Sequence, residues 1–178
     1  MYQEVLDEVR GDIAHAGTPG LQLHLSNILT AMSQMHLSQY DSQNTNRAEG
    51  DRAKGDKSKC TVANALLEEA LSIQRAHTQY GLAAQTLTLL ASSHGNLEMF
   101  DEARSTLKEA INLSSCCDGK ESTTVASCHN RMASICHAQA TAIRAQSEIH
   151  VQYMLTNSMR NHHGRGRRVL VEGLQKQQ

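Results

Sequence analysis

Along most of this chain apolar residues recur every three or four positions, the spacing that lines side chains up on one face of an α-helix. Between Thr86 and Leu113, one face is formed by Leu87, Leu90, Ala91 and His94, and a second by Ala103, Leu107, Ala110 and Ile111. Gly95-Asn96 between them is a turn signal, and Asp101-Glu102 place acid where the second helix would begin, at its positive end. The pattern predicts two short helices that cross at Ala91 and Ala103, where the missing side chains let the backbones come close.

The same spacing predicts helices elsewhere. Val5, Val9 and Ile13 mark one over residues 1–16, stopped by Gly17-Thr18-Pro19-Gly20. Leu25, Ile28, Leu29, Met32, Met35 and His36 mark a second, from Leu21 to about Tyr40. A third, from Cys60 to His77, carries Ala63, Leu67, Ala70 and Leu71. Between these two, residues 41–59 interleave charges with glycines and hold too few apolar side chains to bury, so a flexible, disordered insertion is expected there.

The elements repeat. Ala63, Leu67, Ala70 and Leu71 precede Ala103, Leu107, Ala110 and Ile111 by 40 residues, whereas Leu29 precedes Leu90 by 61. The difference of 21 is close to the length of the polar segment, so the first hairpin reads as a repeat with an insertion between its helices. Leu90-Ala91 returns as Met132-Ala133, Ala103 as Ala145 and Leu107 as Ile149, each 42 residues on, although Gln152 replaces the second alanine. Self-similarity at a fixed period implies stacked helical units, each covering its neighbour's face.

With Leu90 and Ala91 on the first helix, Phe100 at the turn, and Ala103, Leu107 and Ala110 on the second, the unit resembles a tetratricopeptide repeat (TPR). His94 stands where that family usually has an aromatic, and Glu98 where it has a turn glycine. The period is similar to that of kinesin-light-chain-type repeats, and Gly119 to Ala126 resembles their inter-repeat loop, with Ser122-Thr123 in place of His-Pro. The resemblance implies an all-α, TPR-like α-solenoid of about three helical hairpins with flanking helices. Its parts are an N-terminal helix over 1–19 (the second helix of a preceding unit, or a cap) and a first repeat over 20–77 containing the insertion 41–59. A second repeat over 78–118 and a third, divergent one over 119–156 follow, then a basic tail with a short helix over 157–178.

Composition agrees with helices: one Pro, no Trp and 3% aromatic residues do not suit a β-sandwich or a doubly wound sheet. A formal net charge of −1 provides no global field for nucleic acid or an anionic membrane. No apolar run approaches the ~20 residues that span a bilayer, and the acidic start lacks the features of a signal peptide. Five cysteines, two of them adjacent, do not form an extracellular disulfide pattern, so a reducing, cytoplasmic setting is expected.

Candidate chemistry is sparse. Cys116-Cys117, Cys128-His129 and Cys136-His137 carry zinc-type donors, but Cys128 and Cys136 would lie about 12 Å apart along one helix. Buried thiols filling small positions are the expected role, with no metal and no cofactor. Glu68, Glu69, Asp101, Glu102 and Glu109 fall on outward faces as solubilising charges. No phosphate loop, G-x-S-x-G or H-E-x-x-H motif occurs, so no catalysis is expected.

What the resemblance implies instead is a groove lined by the first helix of each repeat, receiving a peptide or a partner protein. By position it would carry Asn27, Thr88 and Asn130, continued by Ser92 and Ser134, with Arg131 adding a charge for an acidic partner. An amide suits this role because it both donates and accepts, so it pairs with any peptide backbone. The expected function is thus a non-catalytic interaction module or adaptor. The alternative is association with nucleic acid or phosphate through the tail, where Arg165, Arg167 and Arg168 cluster near His162-His163 without an aromatic to stack on bases.

Overall fold

The structure, a computed structural model, describes residues 4, 6–8, 10, 11, 18–45, 57–120 and 122–175, with side chains as far as residue 157 except at 44 and 45. Among the described residues the protein is all-helical, without strands. Residues 4, 6–8, 10 and 11 are helical. Five helices follow: α1 (Pro19–Thr45), α2 (Lys57–Ala76), α3 (Tyr80–Asn96), α4 (Phe100–Cys117) and α5 (Thr123–Gln175).

Three boundaries moved for identifiable reasons. α1 starts at Pro19 instead of Leu21, because proline at the first helical position forfeits no intrahelical bond. The Thr18 carbonyl closes that first turn, accepting from the Leu21 and Gln22 amides at 3.1 and 3.3 Å. At the other end α1 continues to Thr45, and α2 begins at Lys57, so both ends of the expected insertion are helical. Asp41, Ser42 and Gln43 are exposed on that last stretch of α1; the middle of the insertion, 46–56, lies outside the described residues.

The turn between α3 and α4 lies beyond the expected Gly95-Asn96, whereas α2 ends at Ala76, one residue before the expected His77. Gly95 and Asn96 belong to α3, and the chain reverses at Leu97–Met99. There the Glu98 amide donates to the Gly95 carbonyl at 3.0 Å and the Met99 amide to the His94 carbonyl at 2.9 Å. The α2–α3 turn repeats this, with Thr78 donating to Arg75 at 3.1 Å and Gln79 to Gln74 at 2.8 Å. Both are Schellman closures, which require a left-handed residue and usually take glycine. Here Thr78 (φ 55°) and Glu98 (φ 65°) occupy it, so the sequence carries no glycine signal at either turn. Gly95 lies within the helix, where a β-carbon would make ordinary contact with Ile135 Cγ1 of α5 at 3.4 Å.

α1 and α2 run antiparallel. Leu37 and Tyr40 late in α1 pack with Cys60 and Ala63 early in α2. Leu25, Leu29 and Met32 pack with Leu66 and Ala70, and Leu6 of the N-terminal helix joins them. Arg10 fixes that helix to α2 through Glu69, its Nε donating to Oε1 at 3.0 Å. α2 packs on α3, and α3 on α4. Leu87 and Ala91 of α3 meet Ala103, Leu107 and Ala110 of α4, with Cys128 and Ile135 of α5 completing the cluster. Ala63, Ala70, Ala83, Ala84, Ala91, Ala103 and Ala110 have no solvent exposure at all, so the helices cross on methyl groups.

The end of α3 is tied to both helices of the first hairpin. Tyr40 Oη donates to the Asn96 carbonyl (3.3 Å), and Asn96 Nδ2 to Asp41 Oδ1 (3.4 Å). From the α2 side, Ser93 Oγ donates to the Cys60 carbonyl at 3.0 Å, and Lys57 Nζ pairs with Glu98 at 3.1 Å.

The third hairpin expected over 119–156 does not form: Thr123–Gln175 is one helix, which also takes in the expected tail. No glycine or proline lies between Gly119 and Gly164, and the stretch is rich in Ala, Gln and Arg, so nothing stops the helix. Ala133, Ala145 and Ile149, expected inside a repeat, are exposed. The chain divides into two units, Met1–Cys136 and His137–Gln178. In the second, Ile143, Ile149, Val151, Tyr153, Met154 and Leu155 are each more than half exposed.

Two tests of this architecture concern its turns and His94. Glycine relieves left-handed strain but loosens the unfolded chain, so Thr78→Gly and Glu98→Gly should each stabilise by up to about 1 kcal/mol. Urea unfolding would register this as a higher midpoint at unchanged slope. His94, half-buried with Nδ1 3.5 Å from Thr106 Oγ1, has its pKa lowered by burial, against the opposing fields of Glu102 and Glu68. Because the folded state then binds the proton less well than the unfolded one, stability should fall as pH drops below 6.5. The slope should be shallower in His94→Leu.

Candidate binding groove

Within the first unit, α1, α3 and α5 turn side chains into one open cleft of about 300 Å³. α1 contributes Thr30 and Gln34, and α3 contributes Gln85, Thr88 and Leu89. The start of α5 adds Thr123, Thr124, Ser127 and Arg131. Helical spacing explains the selection: Thr30 and Gln34 are four apart, Gln85 and Thr88 three, Ser127 and Arg131 four.

Leu89 aside, the side chains of the lining are hydroxyl or amide groups with one cation and no carboxylate, set among the apolar stems of their own residues. Two of its five hydroxyls are already bonded within their own helices. Thr30 Oγ1 donates to the Ser26 carbonyl at 2.8 Å, and Thr88 Oγ1 to the Ala84 carbonyl at 2.8 Å. With its proton so committed, each oxygen offers the cleft lone pairs only. Gln34 and Gln85 are exposed, and their amides both donate and accept. Arg131 is half-buried, and one guanidinium nitrogen donates to Ser92 Oγ. Ser92 in turn donates to the Thr88 carbonyl at 3.0 Å, so the cation rests on a neutral chain of bonds. The positive end of α5 opens beside it, since Thr123 and Thr124 lie in its first turn. Ser122 caps that turn: its hydroxyl accepts the Val125 amide at 3.2 Å and its carbonyl the Ala126 amide at 3.1 Å.

Of the residues named from the sequence, Thr88 and Arg131 line the cleft, and Ser92 supports Arg131. Asn27, Asn130 and Ser134 are exposed and outside the lining; Ser134 Oγ donates to the Asn130 carbonyl at 3.1 Å. The three positions equated by the repeat differ in exposure, Thr88 being buried where Asn27 and Asn130 are open. Gln85 falls one helical turn from the expected Thr88, whereas neither Gln34 nor Thr30, one turn before it, carries a signal in the sequence. The side chains of Arg165, Arg167 and Arg168 lie outside the described residues.

No protein-family model, curated protein or solved structure matches the chain.

Other chemistry on the described surface is limited. No three His, Cys, Asp or Glu side chains converge on a metal position among the described residues, and no described helix is long and apolar enough to cross a membrane. Glu69 pairs with Arg10 and Glu109 with Arg75, while Glu68, Asp101 and Glu102 are exposed. Cys128 is fully buried, with Sγ 3.3 Å from Thr88 Oγ1 on the inner side of the cleft wall. Cys60 is buried too, and burial pushes its thiol pKa up, with the charge of Asp41 adding to the effect.

A thiol reagent separates these environments. Cys116, Cys117 and Cys136 are exposed and should be alkylated in the native protein, whereas Cys60 and Cys128 should react only on unfolding. Peptide mass mapping of protein alkylated with and without denaturant would check this; labelling of Cys60 in the native state would contradict the packing of α1 on α2.

Proposed function

We propose that the chain is a non-catalytic interaction module, a TPR-like α-solenoid whose first-helix faces hold an extended peptide segment of a partner protein. The observation that carries this reading is the cleft itself: α1, α3 and α5 each bring hydroxyl or amide groups to one surface, beside a single cation. Such groups pair with peptide N–H and C=O groups irrespective of sequence. Arg131, with no carboxylate in the lining, favours a segment carrying an acidic side chain.

The repeat arithmetic supports the same architecture. Ala63 and Ala103, Leu67 and Leu107, and Ala70 and Ala110 are pairs 40 residues apart, and all six are fully buried. Leu29 and Leu90, the first-helix pair, are buried as well. With 3% aromatic residues the module has few large anchors, which suits modest affinity or assembly inside a larger complex. Five free thiols suit the reducing cytoplasm.

Affinity capture with the full chain as bait, read by mass spectrometry, tests the reading. Arg131→Ala should weaken the captured partner's binding at least about tenfold, the scale of losing a charged contact. Gln34→Ala combined with Gln85→Ala should weaken it too, and a chain ending at Asn157 should still bind. Partners indifferent to the cleft variants but lost on truncation, with affinity falling steeply with salt, would transfer the function to the basic tail.

A further inference from the structure

The cleft holds a cation without an anion. Among the described residues three arginines are half-buried: Arg10, Arg104 and Arg131. Arg10 pairs with Asp7 and Glu69, and Arg104 with Asp101. Among the same residues Arg131 has one polar partner, the neutral Ser92 Oγ, which takes one of its N–H groups. A guanidinium carries five N–H donors and accepts nothing, so the others remain for a ligand. Withdrawing a cation part-way from water without a counter-ion costs free energy, and an anion seated in the cleft offsets that cost.

The rest of the lining selects the anion. Thr124, Ser127 and Arg131 are three and four residues apart, so they share one face of α5, and Thr123 borders it. Helical side chains lean toward the start of their helix, so the guanidinium of Arg131 reaches back toward Ser127. The hydroxyls of Thr123, Thr124 and Ser127 have no hydrogen-bond partner among the described residues, unlike those of Thr30 and Thr88. α5 is therefore the donating wall, with three free hydroxyl protons beside one guanidinium. On α1 and α3, the hydroxyls of Thr30 and Thr88 can only accept.

A carboxylate is satisfied by two parallel N–H bonds from one guanidinium, and it leaves such hydroxyls without an acceptor. A phosphoryl group carries about −1.5 to −2 charges and three acceptor oxygens, enough for the guanidinium and the hydroxyls together. The polarity of the walls also orients it: phosphoryl oxygens toward α5, and backbone N–H groups of the same segment toward α1 and α3. Leu89 is the one wholly apolar side chain of the lining, too little to seat the ring of a phosphotyrosine.

We propose that the cleft is a phosphopeptide site, in which Arg131, Thr124 and Ser127 hold the phosphoryl group of a phosphorylated serine or threonine in the partner segment. This rests on the cleft being a peptide groove, and it makes partner binding conditional on phosphorylation.

Titration of the isotopically labelled full chain, followed by NMR at the Arg131 Nε–H, tests it. The probes are blocked glycine-rich pentapeptides whose central residue is phosphoserine, glutamate or serine. The phosphoserine peptide should shift the resonance and bind at least about tenfold more tightly than the glutamate peptide, the scale of an added charge-assisted hydrogen bond. The serine peptide should leave the resonance in place. Thr124→Val combined with Ser127→Ala, with folding checked by circular dichroism, should remove the advantage of phosphoserine and leave the glutamate peptide unchanged; a merely structural role would weaken both alike. Inorganic phosphate should displace the phosphoserine peptide only in large excess, because it lacks the backbone that Gln34 and Gln85 would hold. Equal affinity for the phosphoserine and glutamate peptides, no shift at Arg131 with either, or displacement by equimolar phosphate would each overturn the proposal. Affinity capture separates this failure from failure of the groove. Partners lost on Arg131→Ala yet retained after phosphatase treatment would overturn the phosphoryl assignment and keep the groove. Partners indifferent to Arg131→Ala, Gln34→Ala and Gln85→Ala would remove both.

Discussion

Everything in the first unit depends on helix backbones approaching where side chains are reduced to a methyl group. An alanine at a crossing removes the spacer that would otherwise hold two helices apart. At Ala63, Ala70, Ala83, Ala84, Ala91, Ala103 and Ala110 that space is fully occupied by the neighbouring helix. Leu29, Leu67, Leu87 and Leu107 then bury completely in the depressions beside the crossings. A chain with so few aromatic rings thereby gains cohesion from many short-range contacts instead of a few large ones. Two buried hydroxyls of this layer, Ser33 and Thr88, turn onto carbonyls of their own helices at 2.7 and 2.8 Å, while Ser93 reaches across to the Cys60 carbonyl.

That constraint also explains how much could be read from the sequence. Burial has a period, so the helices and the buried faces of α2, α3 and α4 were legible from Leu, Ala and their spacing. The α3–α4 turn was not, because Glu98 adopts a glycine-like conformation without being glycine, and the glycine nearby, Gly95, lies inside the helix. The third hairpin failed in the opposite way. Ala145 and Ile149 match the repeat, yet matching alanines cannot bend a chain that has no breaker between Gly119 and Gly164. A face pattern records what a helix can cover, not where it must end.

The cleft was half legible. Thr88 and Arg131 followed from position within the repeat, whereas Gln34 and Gln85 needed neighbouring helices to show which turn faces inward. Ser92 changed meaning: it props the guanidinium of Arg131 instead of offering itself to a ligand. A cation held by a neutral hydroxyl keeps most of its charge available, since no carboxylate beside it offsets the field.

The bonds at the end of α3 have a topological consequence. Tyr40 and Asp41 on one side, and Cys60 and Lys57 on the other, are held by Ser93, Asn96 and Glu98. α3 acts as a splint on a hairpin whose two helices already pack directly on each other through Leu25, Leu29, Leu66 and Ala70. Lengthening the covalent link between these two helices costs only about 0.6 kcal/mol per doubling. The boundary between Thr45 and Lys57 is therefore a natural seam, where the polypeptide could be nicked, or its ends relocated, and the two pieces would still recognise each other.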